Sequence, residues 1–92
     1  MLYLGCDVHR DYTTVSCIDE DGNVLATSNV TNSRQGIGQF LERYRQEEFS
    51  VVLEAGLNWG MVYDLFESIE RVYQIVLAHP PKAKAIASAQ KS

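Results

Sequence analysis

Apolar residues crowd the first eight positions. Leu2 to Val8 is a short hydrophobic run that carries one carboxylate, Asp7, near its end. Tyr12 to Ile18 follows in alternation, with Thr13, Val15 and Cys17 on one face and Tyr12, Thr14, Ser16 and Ile18 on the other, the period of a strand. Asp19-Glu20-Asp21-Gly22-Asn23 interrupts the pattern with residues that tolerate positive φ, as a hairpin turn requires. Val24 to Val30 then completes an antiparallel meander of three strands.

The period changes after Thr31. Ile37, Phe40, Leu41 and Tyr44 recur at helical spacing and predict one apolar stripe, with Asn32 placed to cap the helix and Gln35 three residues on as its capping-box partner. Gly36 and Gly38 weaken its first turns by up to about 1 kcal/mol each relative to alanine. Phe49 to Leu53 is almost wholly apolar, the pattern of a strand covered on both faces, and it ends on Glu54. A second helix is expected over roughly Asn58 to Arg71, burying Val62, Leu65, Phe66 and Ile69. Val72 to Ala78 reads as another buried strand, closed by His79-Pro80-Pro81, and Pro81 is suited to open a last helix through Lys82 to Gln90.

The order β-β-β-α-β-α-β-α begins as a meander and continues as strands alternating with helices. The alternating half calls for parallel pairing with right-handed crossovers. The economical arrangement is an α/β fold, a mixed five-stranded sheet in the order 3-2-1-4-5 with flanking helices, which is the ribonuclease H-like layout.

Composition narrows the function classes. The 92 residues make one domain or part of one, and 46% apolar with 22% charged residues is ordinary for a globular chain. No apolar run approaches the roughly 18 residues that span a bilayer. The N-terminus has neither a basic region nor a long apolar stretch, so a cytoplasmic location is expected. Cys6 and Cys17 both fall in strands and read as small buried hydrophobes rather than a disulfide framework. The net charge of −4 is unevenly spread. Residues 1–70 hold all 12 acids against four arginines, while residues 71–92 hold four basic residues and no acid. That is not the broad basic footprint of a self-sufficient nucleic-acid binder. It suits a domain whose nucleic-acid contacts lie mostly elsewhere, or a metal site that needs local negative charge, and equally a solvated acidic surface.

The candidate chemistry sits on Asp7 and Glu54. In the expected sheet their strands are parallel neighbours about 4.8 Å apart, and both acids lie at carboxyl ends, the edge where open α/β sheets bind ligands. Carboxylates about 5 Å apart repel by about 3 kcal/mol at an effective dielectric near 20. Such a pair shares a proton or holds a cation, and hard oxygen ligands open to water suit Mg²⁺ or Mn²⁺. Two solvated strand ends are the alternative. His9 and Asp11, close by in the chain, are candidates for a ligand or proton shuttle, against plain turn residues. Trp59 and Tyr63, four apart, are spaced to stack on a base or simply to pack the second helix. Lys82, Lys84 and Lys91 are candidate phosphate contacts or a solvated helix face.

Several blocks together carry a resemblance. Gly5-Cys6-Asp7-Val8-His9-Arg10-Asp11, Leu53-Glu54-Ala55 with Asn58-Trp59 and Tyr63 behind it, Ala78-His79-Pro80, and Lys82-Ala83-Lys84-Ala85-Ile86-Ala87 look like the N-terminal RuvC-like domain of the DEDD-type insertion-sequence transposases, the bridge-RNA-guided recombinases. The similarity runs in order from about residue 2 to the end. Ala55-Gly56-Leu57-Asn58 and His79 depart from the family's usual residues. The resemblance implies a tetrad of three aspartates and one glutamate holding Mg²⁺ or Mn²⁺, with Asp7 as the first acid and Glu54 as the second, both catalytic. It implies DNA and a guide RNA as partners of the full-length protein, a homo-oligomer, and no membrane. The chain ends Gln90-Lys91-Ser92 where the third acid is expected, so residues 1–92 read as a C-terminally truncated domain, inactive alone.

Three other readings share the scaffold. A Holliday-junction resolvase-like nuclease differs only in the C-terminal half. A non-enzymatic dimerisation or docking module would use an open sheet edge. A phosphotransferase of the actin and sugar-kinase type needs a glycine-bearing phosphate loop, and Val8-His9-Arg10-Asp11 supplies none.

Overall fold

The computed structural model describes residues 1–54, 56 and 58–78. The expected last helix, His79 and the lysines at 82, 84 and 91 lie outside these residues. Five strands and two helices follow in order: β1 (Leu2–Val8), β2 (Tyr12–Ile18), β3 (Val24–Thr31), α1 (Arg34–Glu42), β4 (Phe49–Glu54), α2 (Trp59–Glu67) and β5 (Val72–Ala78). The strands form one mixed sheet in the order β3-β2-β1-β4-β5, as the pattern requires. β1 pairs antiparallel with β2 and parallel with β4, and β4 pairs parallel with β5. None of the described helices is long and apolar enough to cross a membrane.

The meander closes on a self-contained turn. Asp19 accepts hydrogen bonds from the backbone N–H groups of Asp21 and Asn23, both at 2.9 Å, while Gly22 takes φ 86°. These bonds hold the Asp19 carboxyl below its ordinary range, the bond from Asn23 contributing most.

The core lies between one face of the sheet and both helices. Leu4, Cys6, Val15, Cys17, Phe49, Val51 and Leu53 meet Ile37, Phe40 and Leu41 from α1 and Val62 and Phe66 from α2 in one cluster. Tyr44, Leu65 and Ile69 pack around its margin. Both cysteines are buried and free, as expected of small core residues.

Several details differ from expectation, among them α2, which ends at Glu67 rather than near Arg71. The α1 cap is Ser33, whose hydroxyl accepts from Gly36 N at 3.0 Å, and Asn32 is used elsewhere. β4 is buried on the helix side, but on its other side Val52 is only half covered. β5 is not a buried strand: Tyr73, Val76 and Leu77 are exposed by 67%, 45% and 42%. Its place in the sheet order explains this. An outermost strand has a neighbour on one side only, and a short apolar run reads alike at an edge and in the centre.

Candidate functional site

Parallel pairing of β1 with β4 sets Cys6 opposite Leu53, both on the core face. One residue further, the pleat turns Asp7 and Glu54 to the opposite face, near the carboxyl ends of their adjacent strands. On that face Asp7 also stands beside Thr14, and Glu54 beside Ala78. The Asp7 side chain is 56% exposed, so its carboxylate meets solvent. Burial pushes the thiol of Cys6, the residue before it, far above its ordinary value and keeps it protonated and inert.

His9 belongs to this cluster. Its Nε2 lies 3.2 Å from Asp7 Oδ2, and its ring stacks on Tyr12 at 4.6 Å between centroids. The backbone beneath is fixed by His9 N–H donating to Tyr12 O at 2.8 Å, which closes the tight β1–β2 connection. Asp11, on the same connection, accepts at its backbone carbonyl from Asn32 N–H at 3.1 Å.

Two asparagines far apart in sequence brace this connection. Asn32 Nδ2 donates to His9 O at 2.9 Å, and its Oδ1 accepts from the buried Thr13 hydroxyl at 2.6 Å. Asn58 Nδ2 donates to Arg10 O at 3.3 Å, and Asn58 itself adopts the left-handed conformation with φ 65°. That conformation suits asparagine better than most residues. Periodicity cannot find these braces, since their bonds span 19 to 48 positions and neither residue lies on an apolar stripe. The only sequence signal was a pair of asparagines at helix starts.

The arrangement brings Asp7, Glu54 and His9 to one end of the sheet, with Asp11 on the adjoining loop. Trp59 and Tyr63 pack edge-on against each other at 6.2 Å, with Trp59 39% exposed at the start of α2. Among the described residues no three histidine, cysteine, aspartate or glutamate side chains converge as a metal-binding group. Two carboxylates on neighbouring strands are hard oxygen donors of the kind Mg²⁺ or Mn²⁺ takes, but too few to complete a shell.

No protein-family model matches this chain, and comparison with curated proteins finds no match.

Proposed function

We propose that this chain is the metal-binding part of a ribonuclease H-like, RuvC-like domain of an insertion-sequence transposase, with Asp7 and Glu54 as two of its metal ligands. The observation that carries the reading is the register. It sets these two acids on adjacent parallel strands, on one face, near the carboxyl-end edge of a sheet ordered β3-β2-β1-β4-β5, where open α/β sheets commonly bind ligands. The resemblance of the Asp7 and Glu54 segments supports it further. The tetrad that the resemblance implies has two further aspartates, which it assigns to no residue of this sequence. DNA and a guide RNA are then partners of the whole protein.

A divalent ion bound here supplies charge neutralisation for phosphodiester cleavage. The chain's own contribution is placement. β1 and β4 fix the spacing of the carboxylates, the His9 contact restrains Asp7, and the bonds from Asn32 and Asn58 hold the connection that carries His9.

Paramagnetic Mn²⁺ titrated into the isotopically labelled chain tests the assignment. Amide signals of Val8, His9 and Glu54 should broaden first, at weak affinity, and Asp7→Asn should remove the effect. Broadening centred instead on the Asp19–Asp21 turn would sink the assignment. In a protein carrying all four acids, Asp7→Ala should abolish recombination while leaving the melting curve in place.

A further inference from the structure

The edge strand β3 carries a binding surface of a different kind, and we propose that it pairs with β3 of a second copy to form a two-fold dimer with a continuous ten-stranded sheet. The proposal is independent of the metal-site reading.

The argument begins with the backbone. Asn32 N–H donates to Asp11 O, and with Tyr12 opposite Thr31 the pairing phase turns the amide groups of Val30, Ser28 and Ala26 toward β2. By the same alternation Thr27 and Asn29 present their N–H and C=O groups outward. Among the described residues no strand pairs with that side. Nor does α1 close it: a groove of about 250 Å³ lies between them, lined by Ser28, Val30, Gln39, Phe40 and Arg43 among others.

Edge strands are normally blunted by charge or proline. β3, Val-Leu-Ala-Thr-Ser-Asn-Val-Thr, has neither. In an acidic chain, its eight residues are also a stretch where two copies approach without like charges meeting.

Charge at the two ends of the strand selects the occupant. The acidic turn Asp19-Glu20-Asp21 precedes β3, and Arg34, the first residue of α1, follows it. That first helical turn contains no acid, although a helix N-terminus favours one. Neither Arg34 nor Asp21 is in an ion pair among the described residues. Antiparallel pairing centred on Ser28 sets Thr27 against Asn29 of the second copy. In that antiparallel arrangement the Arg34 end of each β3 approaches the acidic-turn end of the other. The two-fold axis repeats the contact, so each acidic turn faces the helix start that lacks an acid.

Sedimentation velocity across the micromolar range tests this, with circular dichroism confirming the fold of each variant. The wild-type chain should show a concentration-dependent doubling of mass. Thr27→Pro removes an outward N–H that no intramolecular strand pairing uses and should leave a monomer. Arg34→Glu should raise the dissociation constant about tenfold, and adding Asp21→Arg in the same chain should restore it. The charge swap decides the question if the proline variant does not fold. A wild-type chain that stays monomeric overturns the proposal. So does an Arg34→Glu variant that dimerises normally, or a dimer that survives Thr27→Pro but is broken by Val76→Lys on β5.

Discussion

Gly36 sits where α1 passes closest to the end of β3, and a methyl group there would lie 2.5 Å from the carbonyl oxygen of Thr31. Gly38, two residues on, has nothing within 4 Å of the same added atom. Helix propensity treats the two alike, at up to about 1 kcal/mol in favour of alanine. Packing separates them. Gly38→Ala should raise stability by up to about 1 kcal/mol, while Gly36→Ala should lower it by about 1–3 kcal/mol through overpacking against backbone. Urea midpoints of the two variants check this, and equal shifts of the same sign would refute the close approach. The same neighbourhood shows what single residues conceal in a sequence. Asn32 and Ser33 are both competent caps, and local spacing favours Asn32 because Gln35 follows at the right distance. A bond to the buried Thr13 hydroxyl and another to His9 O commit Asn32 elsewhere, leaving Ser33 to cap. The placement of Asp7 and Glu54 near strand ends was legible because each stands at or next to the end of an apolar run. Asn58 as a brace was not, since its partner is a backbone carbonyl 48 positions away.

Elements were readable where their period was clean, and ends and edges were not. The α1 stripe of Ile37, Phe40 and Leu41 is buried as its spacing demands, yet the helix stops at Glu42 and leaves Tyr44 in the following turn. A second constraint holds that end. Arg71, just before β5, reaches back with Nη1 donating to Tyr44 O at 2.8 Å and Nη2 to Leu41 O at 3.4 Å, and its guanidinium lies 5.4 Å from the centre of the Phe49 ring. The last turn of α1 has no basic residue of its own, so this distant cation complements the negative end of the helix. In sequence Arg71 looks like the first residue of a basic tail. In the fold it ties α1 to the α2–β5 connection. Arg71→Ala should therefore cost about 1.5–3 kcal/mol, the range for hydrogen bonds to a charged group. Arg71→Lys should recover only part of it, because one ammonium cannot span carbonyls that a planar fork reaches together. Chemical denaturation of both variants checks the ranking, and a surface cation would give shifts within about 0.5 kcal/mol for either.

At the scale of the whole molecule, shifted ionisations make stability asymmetric in pH. Burial raises the thiols of Cys6 and Cys17 and the hydroxyl of Tyr44, and a hydrogen bond to Glu20 raises the Met1 amine. A group raised in the folded state holds its proton longer than in the unfolded chain. Its stabilisation is complete below the unfolded pKa and is lost as pH climbs past it, for thiols above about 8.5. Asp19 runs the other way: its lowered carboxyl stabilises above the unfolded pKa and loses that contribution as pH falls. It is fully exposed, so its acid limb should be shallow. The alkaline limb should be steep, because Cys6 and Cys17 sit in the same core cluster that joins the sheet to α1 and α2. Midpoints of urea unfolding should thus hold level from mildly acid pH to neutrality, then fall toward about pH 10. Replacing both cysteines with alanine should lower the neutral midpoint through lost packing and flatten the alkaline fall at the same time. A wild-type midpoint that stays level up to about pH 10 would mean that the thiols ionise without unfolding, and that the sheet does not bury them.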